Sequence, residues 1–196
     1  MRVIGLTGGI ASGKSAVSEI LRALGGVIID ADCVSRAVVR PNEAGARAVC
    51  EAFGGAYFTN GELDRKKLAA LVFNDAIQLK KLNRTLHPII REAIRKEVCS
   101  IKSGESLPPF VVIDAALLIE SGIAQDVDEV WVVHTPKDIR LCRVMRRDGL
   151  SEEEARARIN AQMKDEERLA QADVIIDNTQ DLEHLKAQVL KRLSCE

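Results

Sequence analysis

Aromatic side chains are scarce: one Trp, one Tyr and four Phe, 3% of 196 residues. That poverty excludes the stacking platforms that hold single-stranded nucleic acid. Charge of one sign is also missing. Lys and Arg total 28 and Asp and Glu total 29, a net charge of −1, so no broad basic face is available to coat a polyanion. Histidine is rare, with three residues, and the five cysteines (Cys33, Cys50, Cys99, Cys142 and Cys195) are odd in number with no CxxC spacing. A disulfide framework or a structural zinc site is therefore not expected, and reduced thiols in a cytoplasm fit better. The apolar run at the N-terminus is short and broken by glycines, which does not suit a signal peptide. No window reaches the apolar length of a membrane span.

What is present is a series of short apolar runs. Arg2–Thr7, Val27–Asp30, Phe110–Asp114, Val130–Val133 and Val174–Asp177 are continuous and rich in β-branched residues. Strands with one wet face alternate apolar with polar; continuous runs mark strands covered on both faces, as in a parallel α/β sheet. Helical spacing follows the first run, with Val17, Ile20, Leu21 and Leu24 on one face and Gly25 placed to stop the helix. Some eighty residues then separate the second and third runs without a convincing strand. Helices are expected over Glu43–Phe53, from an Asp64 cap to Phe73, and over Pro88–Ile101 with Pro88 in its first turn. An ordinary crossover is far shorter, so this stretch reads as an inserted helical lobe. After the fourth run, one helix starts at Pro136 and Asp138 and ends near Gly149. A second opens on the capping box Ser151–Glu154. Asp181 caps a last helix through Leu193.

Chemistry concentrates at the end of the first strand. Gly8-Gly9-Ile10-Ala11-Ser12-Gly13-Lys14-Ser15 fits the pattern GxxxxGK[ST] and lies between a strand and a helix, the context that the pattern requires. Glycines let the backbone turn its N–H groups toward phosphate oxygens at a helix N-terminus. Lys14 then reaches the β/γ-phosphates and the Ser15 hydroxyl a magnesium ion. Asp30-Ala31-Asp32 closes the second strand. A carboxylate there can orient an acceptor hydroxyl and take its proton, although Asp32 can equally be a helix cap. Asp114 closes the third strand and can hold magnesium or simply end a turn. Glu120 is a possible second acid. Arg140, Arg143 and Arg147 share one helical face, either to neutralise phosphoryl charge or as a solvated surface, with Arg146 beside them. Arg65 and His87 are the polar candidates of the lobe, each with a structural alternative. No cysteine has a histidine partner that would mark it as a nucleophile.

Taken together these pieces resemble the dephospho-coenzyme A kinases, a nucleoside-monophosphate-kinase-like branch of the P-loop kinases. The resemblance runs through Leu6–Ile10, Val27–Asp32, Leu63–Arg65, Leu86-His87-Pro88, Asp114–Glu120, Arg143, Arg147–Ser151, Arg158, Gln162 and Ala172–Asn178. Departures occur at Ala11 and Ala16, where the family usually has Gly and Thr, at Ala116 in place of a common proline, and at Arg140, where glutamine is frequent.

The resemblance implies a three-layer α/β P-loop kinase core with a parallel five-stranded sheet, an inserted helical lobe and a helical lid. The core would comprise residues 1–32 and 108–196, with the lid at about 137–165, and the acceptor lobe residues 33–107. The implied reaction moves the ATP γ-phosphate to the ribose 3′-hydroxyl of dephospho-CoA, giving CoA and ADP. Gly9 through Ala16 and Asn178 would bind ATP, Asn178 near the adenine. Thr7, Asp32, Arg65 and His87 would hold the acceptor. Lys14, Asp32, Arg143 and Arg147 would be catalytic, and Ser15 and Asp114 would hold Mg2+. A cytoplasmic monomer or weak homo-oligomer is expected, with no nucleic-acid or membrane partner. Other small-molecule P-loop kinases remain the alternative. A GTPase switch lacks its Asn-Lys-x-Asp signature here, and an inert binding module does not require Lys14, Ser15 and Asp32 together.

Overall fold

The structure, a computed structural model, describes residues 1–194, without the side chain of Asn74; Cys195 lies outside the described residues. In chain order the elements are β1 (Arg2–Gly8), α1 (Lys14–Ala23), β2 (Val27–Asp30), α2 (Ala31–Ala37), α3 (Ala44–Phe53), β3 (Phe58–Thr59) and β4 (Glu62–Leu63). They continue as α4 (Arg65–Asn74), α5 (Ala76–Lys102), β5 (Phe110–Asp114), β6 (Glu129–His134), α6 (Lys137–Asp148), α7 (Glu152–Asn160), α8 (Asp165–Leu169), β7 (Val174–Asp177) and α9 (Leu182–Leu193).

Five strands form a parallel sheet in the order β2-β5-β1-β6-β7. β1 is central, with Leu6 opposite Asp114 on one side and Gly8 opposite Val133 on the other. Beyond it His134 pairs with Asp177. One face presents Ile4, Leu6, Phe110, Val112, Trp131, Val133, Val174 and Ile176 to Val17 and Leu21 of α1 and Leu185 and Val189 of α9. The other face presents Val3, Val111, Ile113, Val130 and Val132, all buried, and the segment after β5 covers part of it. Gly5 approaches Leu118 so closely that a Cβ there would lie 2.8 Å from a leucine methyl. The central strands β1, β5 and β6 are buried on both faces, which is why their sequences read as unbroken apolar runs, while the edge strands expose Val27 and Ile175.

The chain divides into two compact units, Met1–Ile28 with Ser106–Glu196, and Ile29–Glu105. The second unit holds α2 to α5 and has its own core of Val49, Leu68 and Val72, flanked by Phe53, Tyr57, Leu82 and Leu86.

Several local expectations need correction. The second unit does contain strands: β3 and β4 form a two-residue antiparallel hairpin around Asn60-Gly61, both at positive φ. Such short strands leave no period-2 signal to read. α5 begins at Ala76, not Pro88, because Asp75 caps it through the Ile77 and Gln78 N–H groups. Pro88 therefore sits in the helix interior, and His87 is no boundary residue. A proline there costs a backbone hydrogen bond and normally breaks a helix; here the long helix carries through it. β2 ends at Asp30, and Ala31 and Asp32 are already helical. Three helices, not two, stand between β6 and β7, the short α8 being the addition. The Asp64, Ser151 and Asp181 caps are formed as read from the sequence.

Candidate functional site

In a parallel sheet every carboxyl end faces the same edge. Here that edge receives the loop after β1, Asp114 from β5, Thr135 after β6 and Asn178 after β7. This is the crevice where open α/β sheets bind ligands.

The loop Gly8–Ser15 leads directly into α1. Gly13 occupies the N-cap with φ 92 and lends no side chain to the helix, and no acid stands in the first turn. The N–H groups that open α1 are thus left without the usual capping acceptor, in a place that favours an anion. Gly13 must be glycine for two reasons: its φ is left-handed, and a Cβ would lie 1.9 Å from the Asn178 amide nitrogen. Gly9 is equally confined, since a Cβ would lie 2.2 Å from a guanidinium nitrogen of Arg140.

The loop's carbonyls are fastened to protein donors. The Ser12 carbonyl accepts from Asn178 Nδ2 at 2.7 Å and from the Thr135 hydroxyl at 2.9 Å. Ala11's carbonyl accepts from Arg143 at 3.3 Å, and the same guanidinium donates to the Asn178 carbonyl at 3.2 Å. On the other side Ile10 N–H donates to Gln162 Oε1 at 2.7 Å. Ile10 and Ala11 also pack on Leu141, Val144, Ala155 and Ile159 of α6 and α7. Ala11 itself has φ 58, which costs an alanine roughly 1–2 kcal/mol. Such a conformation persists where the surroundings over-determine it. The Ser12 hydroxyl is buried without a hydrogen-bond partner among the described residues.

Lys14 extends to Asp114, whose other oxygen accepts from the Ser18 hydroxyl. Ser18 lies one helical turn beyond Lys14, on the same side of α1. Ser15 is exposed at the head of the helix. Thr7 is buried at the end of β1, its hydroxyl 3.3 Å from the Ala116 carbonyl. Ala16 packs against the core. Glu120 is exposed in the turn that follows β5.

The arginine face separates into different environments. Arg140 is 3% exposed; it donates to the Thr135 carbonyl and pairs with Asp165. Arg168, 2% exposed, pairs with the same carboxylate and donates to the Met163 carbonyl at 3.0 Å. Two guanidinium groups thus share one carboxylate directly beside Gly9. A partly uncompensated positive charge in a low-dielectric setting attracts an anion strongly. Arg143 is half-buried against the loop. Arg147 is exposed and grips its neighbour Asp148 at 2.7 Å, with Arg158 also on Asp148 at 3.2 Å. The hydrogen bond from Arg147 holds the Asp148 carboxyl below its ordinary range. The resemblance ranks Arg147 with Arg143 and above Arg140; in the structure Arg140 lies against the loop and Arg147 faces solvent.

The remaining candidates belong to the second unit. Asp30, not Asp32, caps α2: its carboxylate accepts from Cys33 N–H at 2.9 Å. Desolvation pushes the Asp30 carboxyl up. The backbone and thiol of Cys33, the Asp32 N–H and the Arg36 charge outweigh that and hold it below its usual value. Asp32 stands exposed in the first turn. Arg65 opens α4 and donates to the Arg36 carbonyl at 3.0 Å, so it ties α4 to the last turn of α2. His87 is half-buried within α5.

Thr135, Ser18, Asp165 and Arg168 carry no motif of their own. Only the i, i+3 spacing of Asp165 and Arg168 and the i, i+4 spacing of Lys14 and Ser18 hint at them.

This geometry, a glycine loop on a parallel strand with a lysine at the head of a helix, is matched by the comparisons with known proteins. The family model for dephospho-CoA kinase fits residues 2–184. The chain belongs to the dephospho-CoA kinase family. It is 49% identical to a dephospho-CoA kinase of Geobacillus kaustophilus over 189 residues, 95% of this chain and 92% of that one. Among solved structures, a Thermus thermophilus protein is similar with a TM-score of 0.79 and 36% identity, covering 98% and 95% of the two chains. A dephospho-CoA kinase from Campylobacter jejuni follows at 0.71 and 31%, covering 97% and 94%. The protein is accordingly an ATP-dependent kinase with a three-layer α/β P-loop fold. No helix among the described residues is long and apolar enough to cross a membrane.

Proposed function

We propose that the protein transfers the γ-phosphate of ATP to the ribose 3′-hydroxyl of dephospho-CoA, with the first unit as nucleotide core and the helical second unit as acceptor lobe. The observation that carries the reading is the loop itself: an uncapped helix N-terminus, glycines forced by close contacts, and Lys14 at its head, in a chain of this family.

The 3′-oxygen forms a bond to the γ-phosphorus while the bond from phosphorus to the ADP oxygen breaks, and the hydroxyl proton passes to the Asp32 carboxylate. The structure supports Asp32 for this role, because Asp30 does the capping and leaves the Asp32 carboxylate exposed. Lys14 leaves Asp114 for the phosphates, and Arg143, already at the loop, neutralises charge on the transferred group. Arg147 can join by giving up Asp148 when α6 and α7 close over the nucleotide. Closure would also exclude water and so suppress ATP hydrolysis. Thr7, Arg65 and His87 are proposed contacts for the acceptor, and Asn178 for the ATP adenine. The Asn178 side chain is committed to Ser12, so any contact with adenine comes from elsewhere on that residue.

Magnesium is the expected companion of ATP. No cluster of three or more His, Cys, Asp or Glu able to hold a metal exists among the described residues. One exposed hydroxyl, Ser15, and one carboxylate, Asp114, suit an ion that takes few protein ligands and completes its shell with phosphate oxygens and water. Bound there, it would screen the phosphate charge.

Mass spectrometry of dephospho-CoA incubated with the protein, ATP and magnesium tests the reading. Gain of one phosphate at the 3′ position is expected; equal or faster turnover on nucleoside monophosphates would overturn it.

A further inference from the structure

We propose that Gln162 is a positioning residue for the phosphate loop, holding the left-handed Ala11 in the shape that ATP requires. The inference rests on the loop's nucleotide role described above. Among the described residues only three non-glycines have positive φ: Asn42 and Asn60, of a type that tolerates it, and Ala11. Ala11 is bracketed by two side chains from α6 and the turn after α7. Gln162 Oε1 takes the N–H of the preceding residue, Ile10, at 2.7 Å. Arg143 takes the carbonyl of Ala11 itself at 3.3 Å. The Gly9–Ile10 peptide and the Ala11–Ser12 peptide, which flank the Ile10–Ala11 unit, are thereby held.

Gln162 is well placed to act as a rigid bracket. Its own N–H donates to the Ile159 carbonyl at 3.3 Å, and the next carbonyl, that of Met163, accepts from the buried Arg168. Ile159, one turn earlier, is buried against the cluster on which Ile10 and Ala11 pack. The contact joins residues 152 apart in sequence, so it is formed by tertiary structure alone. Ile10 N–H, once given to Gln162, is not a phosphate donor; its task is to fix the course of the chain into Ser12, Gly13 and Lys14. A preformed loop binds ATP without ordering cost, so the expected effect falls on ATP affinity and not on the chemical step.

The test is a cycle of Gln162→Leu and Ala11→Gly, measured on the full chain with ATP, magnesium and dephospho-CoA. Gln162→Leu, close in size but without the acceptor, should raise KM for ATP about tenfold, the weight of one buried hydrogen bond, with kcat within about twofold. Amide exchange at Ile10, followed by NMR, should accelerate in the same variant. Added to Ala11→Gly, where the left-handed conformation is free of strain, Gln162→Leu should change KM less than about threefold relative to Ala11→Gly alone. Gln162→Met replaces Gln162→Leu if the latter does not yield folded protein, with the melting curve as the check. Unchanged KM for ATP in a folded variant, or unchanged exchange at Ile10, would overturn the proposal. The same tenfold loss in both backgrounds would overturn the role of Ala11 in it. The exchange measurement needs no substrate, so it still reads out should the acceptor prove to be another molecule.

Discussion

Gly13→Ala isolates the contact on which the loop's rear wall depends. Two costs add. An alanine forced to φ 92 loses roughly 1–2 kcal/mol against its preferred region. The new Cβ, 1.9 Å from Asn178 Nδ2, must also expel that amide from the Ser12 carbonyl, and a buried hydrogen bond lost this way costs about 1–3 kcal/mol. The sum, about 3 kcal/mol, corresponds to a fall in Tm of roughly 6–12 °C for a chain of this size. Gly149→Ala is the control. It sits at φ 67 with nothing within 4 Å of a built Cβ, so only the backbone cost applies, about 1–2 kcal/mol. Urea unfolding followed by fluorescence of Trp131 suits the comparison, because Trp131 is fully buried in the sheet of the same unit. Gly13→Ala in an Asn178→Ala background should cost about 1–2 kcal/mol less than in the parent, since the clash and the bond are already gone. If Gly13→Ala and Gly149→Ala destabilise equally, Asn178 yields without cost and the bracing argument fails.

Further expectations follow from the same geometry. Lys14→Ala should lower kcat/KM for ATP at least about a hundredfold, as loss of a charge contact to a transferred phosphoryl group typically does; steady-state assay of ADP release measures it, and ordinary kinetics would remove Lys14 from the site. Asp32→Asn should reduce kcat at least about tenfold with little change in KM for ATP, because proton removal is lost while the loop is untouched. An unaltered kcat would take Asp32 out of the reaction. Asp30 sets an acid limit on α2. Its folded-state pKa lies below the unfolded value of about 3.9, so its stabilisation is complete above that value and lost as pH falls through the folded pKa. Asp30→Asn keeps a good cap but removes the titration, so urea midpoints of parent and variant should run parallel above about pH 5 and the parent should drop faster below about pH 4. Parallel profiles throughout would refute the assignment.

The parts of this protein set by short-range chemistry were legible in its sequence. All five sheet strands announce themselves as apolar runs; in the central β1, β5 and β6, burial on both faces tolerates little else. Asp64, Ser151 and Asp181 begin their helices where a short oxygen-bearing side chain meets the N–H group three residues on. The phosphate loop is likewise local: Gly13 and Lys14 sit one residue apart at a strand–helix junction, so the pattern and the geometry coincide. What stayed hidden depends on residues brought together from afar. That Asp30 and not Asp32 takes the cap is decided by where β2 stops. That α5 runs through Pro88 is decided by the packing of Leu82 and Leu86 on the second unit's core, which outweighs proline's local cost. The arginines of α6 are equivalent by spacing, yet Asp165 and Thr135 bury Arg140 while Asp148 keeps Arg147 at the surface. Gln162 reaches the loop across 152 residues, and no periodicity records such a contact. The sheet strands, the caps at Asp64, Ser151 and Asp181, and the position of the glycine–lysine loop are thus written in neighbouring residues. Which side chains hold the loop in shape follows from packing, because burial and hydrogen bonding there are properties of the folded chain.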